Sequence, residues 1–564
     1  MGFEDYTYTR PIVEEVSKQF QTVLKKFNQA ATVDEQSKAI DEINEIRKYL
    51  GTMFNLCEIR HTIDTNDEFY KEEQDYMDDI QPEVEGLVTE YYQALVQSKF
   101  RAELEQKWGT QLFALAESQL KTFKPEIVPL LQKENRLSTE YTKLVASAKI
   151  LFEGEERTLA QLDPFTQSPD RNIRKKASEE KFAFFAEHEE EFDRIYDGLV
   201  KVRTEIAQAL GYSNFVELGY NRMMRTDYDA EMVANFRQQV KEFIVPIATK
   251  LKERQKNRIG VEKFKYYDEG FNYQSGNPIP KGSPEWIIEN GQKMYDELSN
   301  ETGEFFRFMQ ENHLMDLVAK KGKAGGGYCT YIEDYKSPFI FSNFNGTSGD
   351  IDVLTHEAGH AFQVFSSRDF EIPEYYWPTY EACEIHSMSM EFFTWPWMEL
   401  FFKEDTEKYK FSHLSDALLF LPYGVSVDEF QHWVYENPEA SPKERKLKWR
   451  EIERKYQPHK DYEDNEYLAG GGFWQRQAHI YNSPFYYIDY TLAQICAFQF
   501  WKKSRENHKE AWADYVKLCK LGGSMSFTKL VEVANLISPF ENGCIESVVG
   551  EIEKWLNSVD DQNL

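Results

Sequence analysis

His356, Glu357 and His360 stand in the order HExxH within the stretch IDVLTHEAGHAFQVFSSR, residues 351–368. Residues four apart on a helix sit one turn above each other. The two imidazoles can therefore offer nitrogens to one ion, at the distance of about 2.0–2.1 Å that zinc prefers. Glu357 projects from nearly the same face. A carboxylate there is badly placed as a third ligand, but it can reach water beside the ion and accept its proton. With 11 His and 96 acidic residues among 564, this arrangement of His, acid and second His arises by chance about 0.04 times per chain. Coincidence is a poor explanation.

A metal held for catalysis needs a third protein ligand and a position left open for water. Pro378-Thr379 followed by YEACEIHSMSMEFF reads as a second helix, with Glu381, Glu384 and Glu391 near one face by steps of three and seven. Spacing leaves Glu381 and Glu384 nearly level as third ligand. Each also reads as a solvated carboxylate, since most acids in so acidic a chain face water. Cys383, beside Glu384, is expected to pack away from the metal. Ahead of the HExxH helix lies the turn-rich Asn345-Gly346-Thr347-Ser348-Gly349, where Ser348 or Asp350 is placed to cap it.

HEAGHAF joined to EIHSMSMEFF resembles the thimet oligopeptidase and oligoendopeptidase F family of zinc peptidases, and most of all its oligoendopeptidase F branch. Ser168-Pro169-Asp170-Arg171 with Arg174, and ALGYSNFVELGYNR from Ala209 to Arg222, are similar to the same family and extend the likeness over residues 165–545. The resemblance implies one Zn2+ ion held by His356, His360 and Glu384. It implies Glu357 as general base in hydrolysis of internal bonds of short unfolded peptides. It also implies a mostly α fold: a large helical, bowl-like body with a deep substrate channel that excludes folded proteins.

Peptide hydrolysis puts charge on the carbonyl oxygen, and one well-placed donor to it is worth ~10²–10³ in rate. The block YLAGGGFWQRQAHIYNSPFYYIDY, residues 467–490, is rich in such donors: His479, Tyr481, Tyr486, Tyr487 and Tyr490. The family uses a His followed by a Tyr pair three apart, and the motif match puts these roles on His479, Tyr487 and Tyr490. Asn482-Ser483-Pro484-Phe485 stands where the family's more distant members are glycine-rich, and implies a stiffer loop. Asp352, His386 and Glu391 are candidates to orient the ligands, with surface positions expected for Asp352 and His386.

The rest of the chain must position these groups. At 564 residues, 41% apolar and 15% aromatic, it has material for several cores. A net charge of −30 argues against a nucleic-acid partner. Six cysteines spread singly, without a CxxC pair, suggest neither a disulfide framework nor a cysteine metal site. The N-terminus carries acidic residues where a secretory signal carries basic ones, and the most apolar run, residues 417–422, is far too short to span a membrane. The expectation is a soluble cytoplasmic protein acting on short peptides, with no membrane partner and the oligomeric state open.

Residues 9–200 show helical spacing, as in Leu87, Tyr91 and Leu95, then Leu104, Trp108, Leu112 and Leu115. Helix stops are expected near Gly51, Pro82, Pro125, Gly154 and Pro164. Asp170 should cap one helix, and Leu210-Gly211-Tyr212 should close another. The expected division is an N-terminal helical region, 1–190, and a catalytic zinc peptidase region, 191–564, either separate or continuous around the channel. Residues 258–284 form a loop, either a lid or a long connection. Residues 325–332 and 337–344 are strand candidates, a small β-sheet beside the zinc helix. A free edge there can pair with an extended peptide, although a plain hairpin fits equally well. Gly470-Gly471-Gly472 is too short for a phosphate loop.

Other readings remain open. A dipeptidyl carboxypeptidase on a related scaffold would share the zinc motif but also needs a cation for the peptide's free carboxylate. A non-catalytic peptide-binding protein with structural zinc is disfavoured, because Glu357 is present and structural sites use four protein ligands. A metal-free helical interaction protein would hold no zinc at all.

Overall fold

The structure is a computed structural model describing residues 1–320, 322–324 and 326–564. Gly325, the expected start of the first strand, lies outside the described residues. Helices hold 71% of the chain, in accord with the mostly α expectation. Among the described residues, no helix is long and apolar enough to cross a membrane.

Near the N-terminus, α1 (Val33–Ile63), α2 (Glu68–Val96) and α3 (Thr110–Leu120) pack around Phe20, Ile40, Tyr91 and Leu112. Two expected stops fail here: α1 runs through Gly51 and α2 through Pro82. At Gly51 the reason is a neighbour. A Cβ there would stand 2.5 Å from Glu333 Oε1, so the glycine admits a carboxylate against the helix instead of ending it. Pro164 likewise falls inside a helix, Leu159–Thr166. Pro125 does open a new turn, and Gly154, at φ +80°, closes a hairpin between Ile150–Phe152 and Glu155–Arg157. Asp170 caps its helix by accepting from the Asn172 N–H at 2.8 Å, and Gly211 closes another at φ +92°.

The N-terminal core closes on Ile372 and Tyr375, which come from the segment after the HExxH helix. Arg47 of α1 and Glu374 bind that junction at 2.6 Å, both largely buried. A cavity of about 1080 Å³ is bordered by Val88 and Tyr92 of α2, by Leu115 of α3 and by His356 and Glu384.

Three strands support the site: β1 (Met315–Val318), β2 (Tyr328–Ile332) and β3 (Ser337–Phe344), in the order β1-β3-β2. The central β3 is buried along nearly its whole length, with Pro338, Phe339, Ile340, Phe341 and Phe344 apolar, as expected of a strand covered on both faces. It runs parallel to β1 and antiparallel to β2, with Tyr328 opposite Phe341 and Ile332 opposite Ser337. Strand β2 is therefore an edge, and Tyr328 and Cys329 border the large cavity.

From β3 the chain passes through a short turn into α4 (Gly349–Ser367), which carries HExxH. Three further helices complete the centre: α5 (Tyr380–Phe393), α6 (Thr406–Glu436) and α7 (Tyr487–Leu521). Helix α5 packs between α4 and α7. Gly359 sets the first of these contacts, because a Cβ there would come within 2.7 Å of both the His386 carbonyl and Ser387 Cα. Only glycine lets the two helices approach so closely.

Candidate active site

On α4 the rings of His356 and His360 stand 5.1 Å apart. Glu384 reaches across from α5, its Oε2 at 3.4 Å from His356 Nε2 and 3.6 Å from His360 Nε2. Donors arranged tetrahedrally about 2.0–2.2 Å from one ion lie about 3.4 Å apart. The three donor atoms, all within 4.8 Å of one another, fit a divalent metal, and all three residues border the large cavity. Glu381, level with Glu384 by spacing, is 1% exposed and absent from the cavity wall. Burial and the nearby Asp489 push its carboxyl up to about 8. Helical phase separates the two acids.

Around this cluster, His356 Nδ1 donates to Glu391 Oε1 at 2.6 Å, which leaves Nε2 free to ligate. The other oxygen of Glu391 accepts from His413 Nε2, also at 2.6 Å. Trp395 Nε1 donates to His413 Nδ1 at 3.1 Å and so fixes that tautomer. Burial acts to raise the Glu391 carboxyl, but the two imidazoles outweigh it and draw it down to about 2. Ser387 Oγ donates to Glu384 Oε2 at 3.0 Å. His413, on α6, belongs to no recognisable motif. Its signal is visible only once α6 lies against α5.

Several expectations need correction. Asp352 is not a surface residue: it accepts from Tyr409 OH at 2.7 Å, and burial lifts its carboxyl to about 6. His386, unlike the half-buried Asp352, is fully buried, and burial holds its imidazole down to about 4. It packs near Tyr515, whose hydroxyl donates to the His386 backbone carbonyl at 2.7 Å. Of the three candidates, Glu391 does bond His356, and Ser387, which no motif singled out, bonds Glu384. Neither Ser348 nor Asp350 caps α4 by its side chain: Asp350 reaches backwards to accept from the N–H groups of Asn345 and Gly346, clamping the turn. Cys383 borders the large cavity instead of turning away, but burial raises its thiol well above the ordinary range and leaves little thiolate.

Opposite the metal cluster lies an aromatic wall. Tyr486 and Tyr490 border the large cavity; His479, Tyr487 and Tyr490 border a smaller one of about 510 Å³. His356 and Tyr490 border both, so the two cavities meet at the metal cluster. Tyr486, one of the tyrosines passed over for the pair, donates to Glu384 Oε1 at 3.4 Å. Tyr487 instead leans on Phe420 and Tyr423, with ring centroids at 5.6 and 5.7 Å. Tyr481 is core, fully buried and stacked on Tyr141. Tyr423 donates to Gln477 Oε1 at 2.6 Å and Gln477 donates to His479 Nδ1 at 2.8 Å. The His479 Nε2–H is thus left as a donor, on a ring that burial keeps neutral.

The loop before these tyrosines is held by residues that carry no chemistry of their own. Phe485 sits at φ +68°, fully buried, and its ring occupies the space where a Cβ on Gly219 would stand 2.5 Å away. Arg225 grips both the Phe485 carbonyl and Asp489, the latter at 2.8 Å. The segment ALGYSNFVELGYNR is therefore a seat for the tyrosine loop. The Asp170-Arg171 segment plays a similar part, since Arg171 and Arg174 clamp buried Asp268 at 2.7 and 2.9 Å. That anchors the 258–284 loop, whose Asn277 and Pro278 wall the smaller cavity.

Comparison with known proteins decides the family. A model of Peptidase family M3 matches residues 165–277 and 292–549, and one of the Peptidase M3 N-terminal domain matches residues 3–123. The chain belongs to peptidase family M3. It is thereby a metallopeptidase resembling oligoendopeptidase F, and the His356, His360 and Glu384 cluster accords with a divalent metal. Among solved structures, Pz peptidase A with an inhibitor is 71% identical with a TM-score of 0.94, covering 99% of this chain and 100% of that one. A structure from Bacillus anthracis, provisionally named oligoendopeptidase F, is 65% identical with a TM-score of 0.90, covering 100% of this chain and 99% of the other. An oligoendopeptidase F homolog from Borreliella burgdorferi is 24% identical over 447 residues, 73% of this chain and 74% of its own length.

Proposed function

We propose that this chain is a zinc-dependent endopeptidase that cuts internal bonds of short, unfolded peptides in the cytoplasm. The reading rests on one observation: His356, His360 and Glu384 converge beside Glu357 where two cavities meet. Two imidazoles and one carboxylate are a donor set suited to a single zinc ion. When bound, the ion supplies Lewis acidity for a peptide carbonyl and for water. Glu357, 9% exposed and bordering the large cavity, accepts the proton of the attacking water and passes it to the departing amine. Tyr490, at the junction of the cavities, donates its phenolic hydrogen to the carbonyl oxygen as charge grows there. His479 offers its Nε2–H, and Tyr487 steadies both rings from 5.0 and 5.7 Å. The edge of β2 gives main-chain groups to an extended peptide, which favours backbone recognition over one side chain.

The N-terminal helices, within the proposed region 1–190, narrow the large cavity and so favour short unfolded chains. Six cysteines spread without a CxxC pair, four of them buried, suit a reducing compartment. The peptidase name of a 71%-identical relative seen with an inhibitor supports peptide substrates. The test is mass spectrometry of products from peptides acetylated and amidated at their ends, with a chelator and with zinc restored. Internal cleavage that disappears with the chelator and returns with zinc is expected. Cleavage confined to free-ended peptides, two residues from the C-terminus, would replace endopeptidase by dipeptidyl carboxypeptidase. No cleavage of any peptide would sink the reading.

A further inference from the structure

We infer that the smaller cavity is a subsite for a cationic side chain of the peptide, with Asp416 as its counter-charge. This rests on the peptidase reading above and specifies what that peptidase prefers. The cavity opens at His356 and Tyr490, so it is a continuation of the cleft on the side away from β2. One face of α6 lines it with His413, Asp416, Ala417 and Phe420, residues spaced three and four apart.

Three carboxylates border this space: Asp352, Glu391 and Asp416. Two are committed within the protein. Glu391 holds both His356 and His413, and Asp352 accepts from Tyr409. Asp416 is exposed to the cavity and takes part in no hydrogen bond or ion pair among the described residues. Burial raises its carboxyl, and Lys252, His413 and Arg258 oppose that shift through their charge without bonding to it. A free carboxylate one turn beyond His413 suits a lysine or arginine head group, whose methylenes can lie on Ala417, Met388 and Phe420.

An independent observation points to a ligand in the same place. Gln494 borders the cavity from α7, on the face that carries Tyr487 and Tyr490. It is 6% exposed, and its side-chain NH2 has no hydrogen-bond partner among the described residues. Buried amides are ordinarily satisfied, so an orphaned one on a cavity wall marks a position where an occupant supplies the missing acceptor. A peptide carbonyl is such an acceptor. The carbonyl and the cation of one bound residue would thus meet Gln494 and Asp416.

The test compares peptides of equal length with blocked ends, differing only by lysine or norleucine at each position within three residues of the scissile bond. The zinc-loaded enzyme should prefer lysine at one position by at least about tenfold in kcat/KM. Asp416→Asn should bring that ratio close to one while leaving the norleucine peptide unchanged, with the loss mainly in KM. Asp416→Lys should reverse the preference toward glutamate at that same position. A native enzyme that cuts both peptides equally overturns the subsite and leaves the peptidase reading intact. Loss of both peptides in folded Asp416→Asn also overturns it, by making Asp416 part of the general machinery. A native enzyme that cuts neither peptide overturns both.

Discussion

Two walls face each other across the proposed metal site, and they are built on different principles. The α4 and α5 wall places its groups by helical spacing and by a contact so close that it requires Gly359. The opposite wall, residues 478–494, presents its rings through a short helix, a buried Phe485 at positive φ and the start of α7. There, orientation is decided by distant residues: Gly219 makes room for Phe485, and Arg225 fixes its carbonyl. One wall is local in origin and the other is assembled from across the chain.

If the walls divide the work in this way, chemistry should fail most completely when the first wall loses its proton acceptor. Glu357→Gln should lower kcat by about 10²–10⁴ while metal content, read by elemental analysis, stays unchanged. Full activity in that variant would remove the general base from the mechanism. Next in size is the loss of one donor from the second wall. Tyr490→Phe should cost about 10²–10³ in kcat with little change in KM, because the phenol acts as charge develops and not on the resting substrate. A drop confined to KM would make Tyr490 a binding group only.

The same difference explains which parts of the molecule are legible in the sequence. HExxH converges on a helix because its spacing matches the helical repeat, so His356 and His360 can be read together. Glu384 is half legible. The pattern offers Glu381 as well, and only the packing of α5 between α4 and α7 turns Glu381 toward Arg225 and Asp489. Helices are legible as a class from the apolar repeat in residues 87–115, but their ends are not. Gly51 and Pro82 read as stops, and at Gly51 a contact with Glu333 supplies the glycine's reason. His413 and Tyr409 lie beyond any local pattern, since what they do depends on α6 meeting α5 and α4. Among tyrosines spaced along the start of α7, sequence alone does not tell which hydroxyl reaches Glu384.

A smaller effect tests how the first wall is held. Glu391 accepts from two imidazoles at once, and a glutamine offers one acceptor and one donor in their place. In Glu391→Gln, one of His356 and His413 faces an N–H group instead of an oxygen. The His356 tautomer that frees Nε2 then loses its support. Zinc affinity, measured by competition with a chromogenic chelator, should fall by about 10–100-fold. Unchanged affinity would mean that α4 alone orients His356.

The smallest effect is the sharpest test of the second wall. Tyr487 and Tyr490 are equivalent by motif, yet only Tyr490 borders both cavities, while Tyr487 rests on Phe420 and Tyr423. Tyr486 takes the remaining place beside Glu384. Removing the Tyr487 hydroxyl leaves its ring packing intact. Tyr487→Phe should therefore change kcat/KM by less than about threefold, within the range of an ordinary hydrogen bond to solvent or protein. Tyr486→Phe should cost more, since its hydroxyl lies 3.4 Å from an oxygen of Glu384, the proposed third ligand. If Tyr487→Phe proves as damaging as Tyr490→Phe, the loop must rearrange when peptide binds and bring Tyr487 forward. The two walls would then differ in mobility as well as in origin, and Pro484 would be a hinge boundary and not a brace.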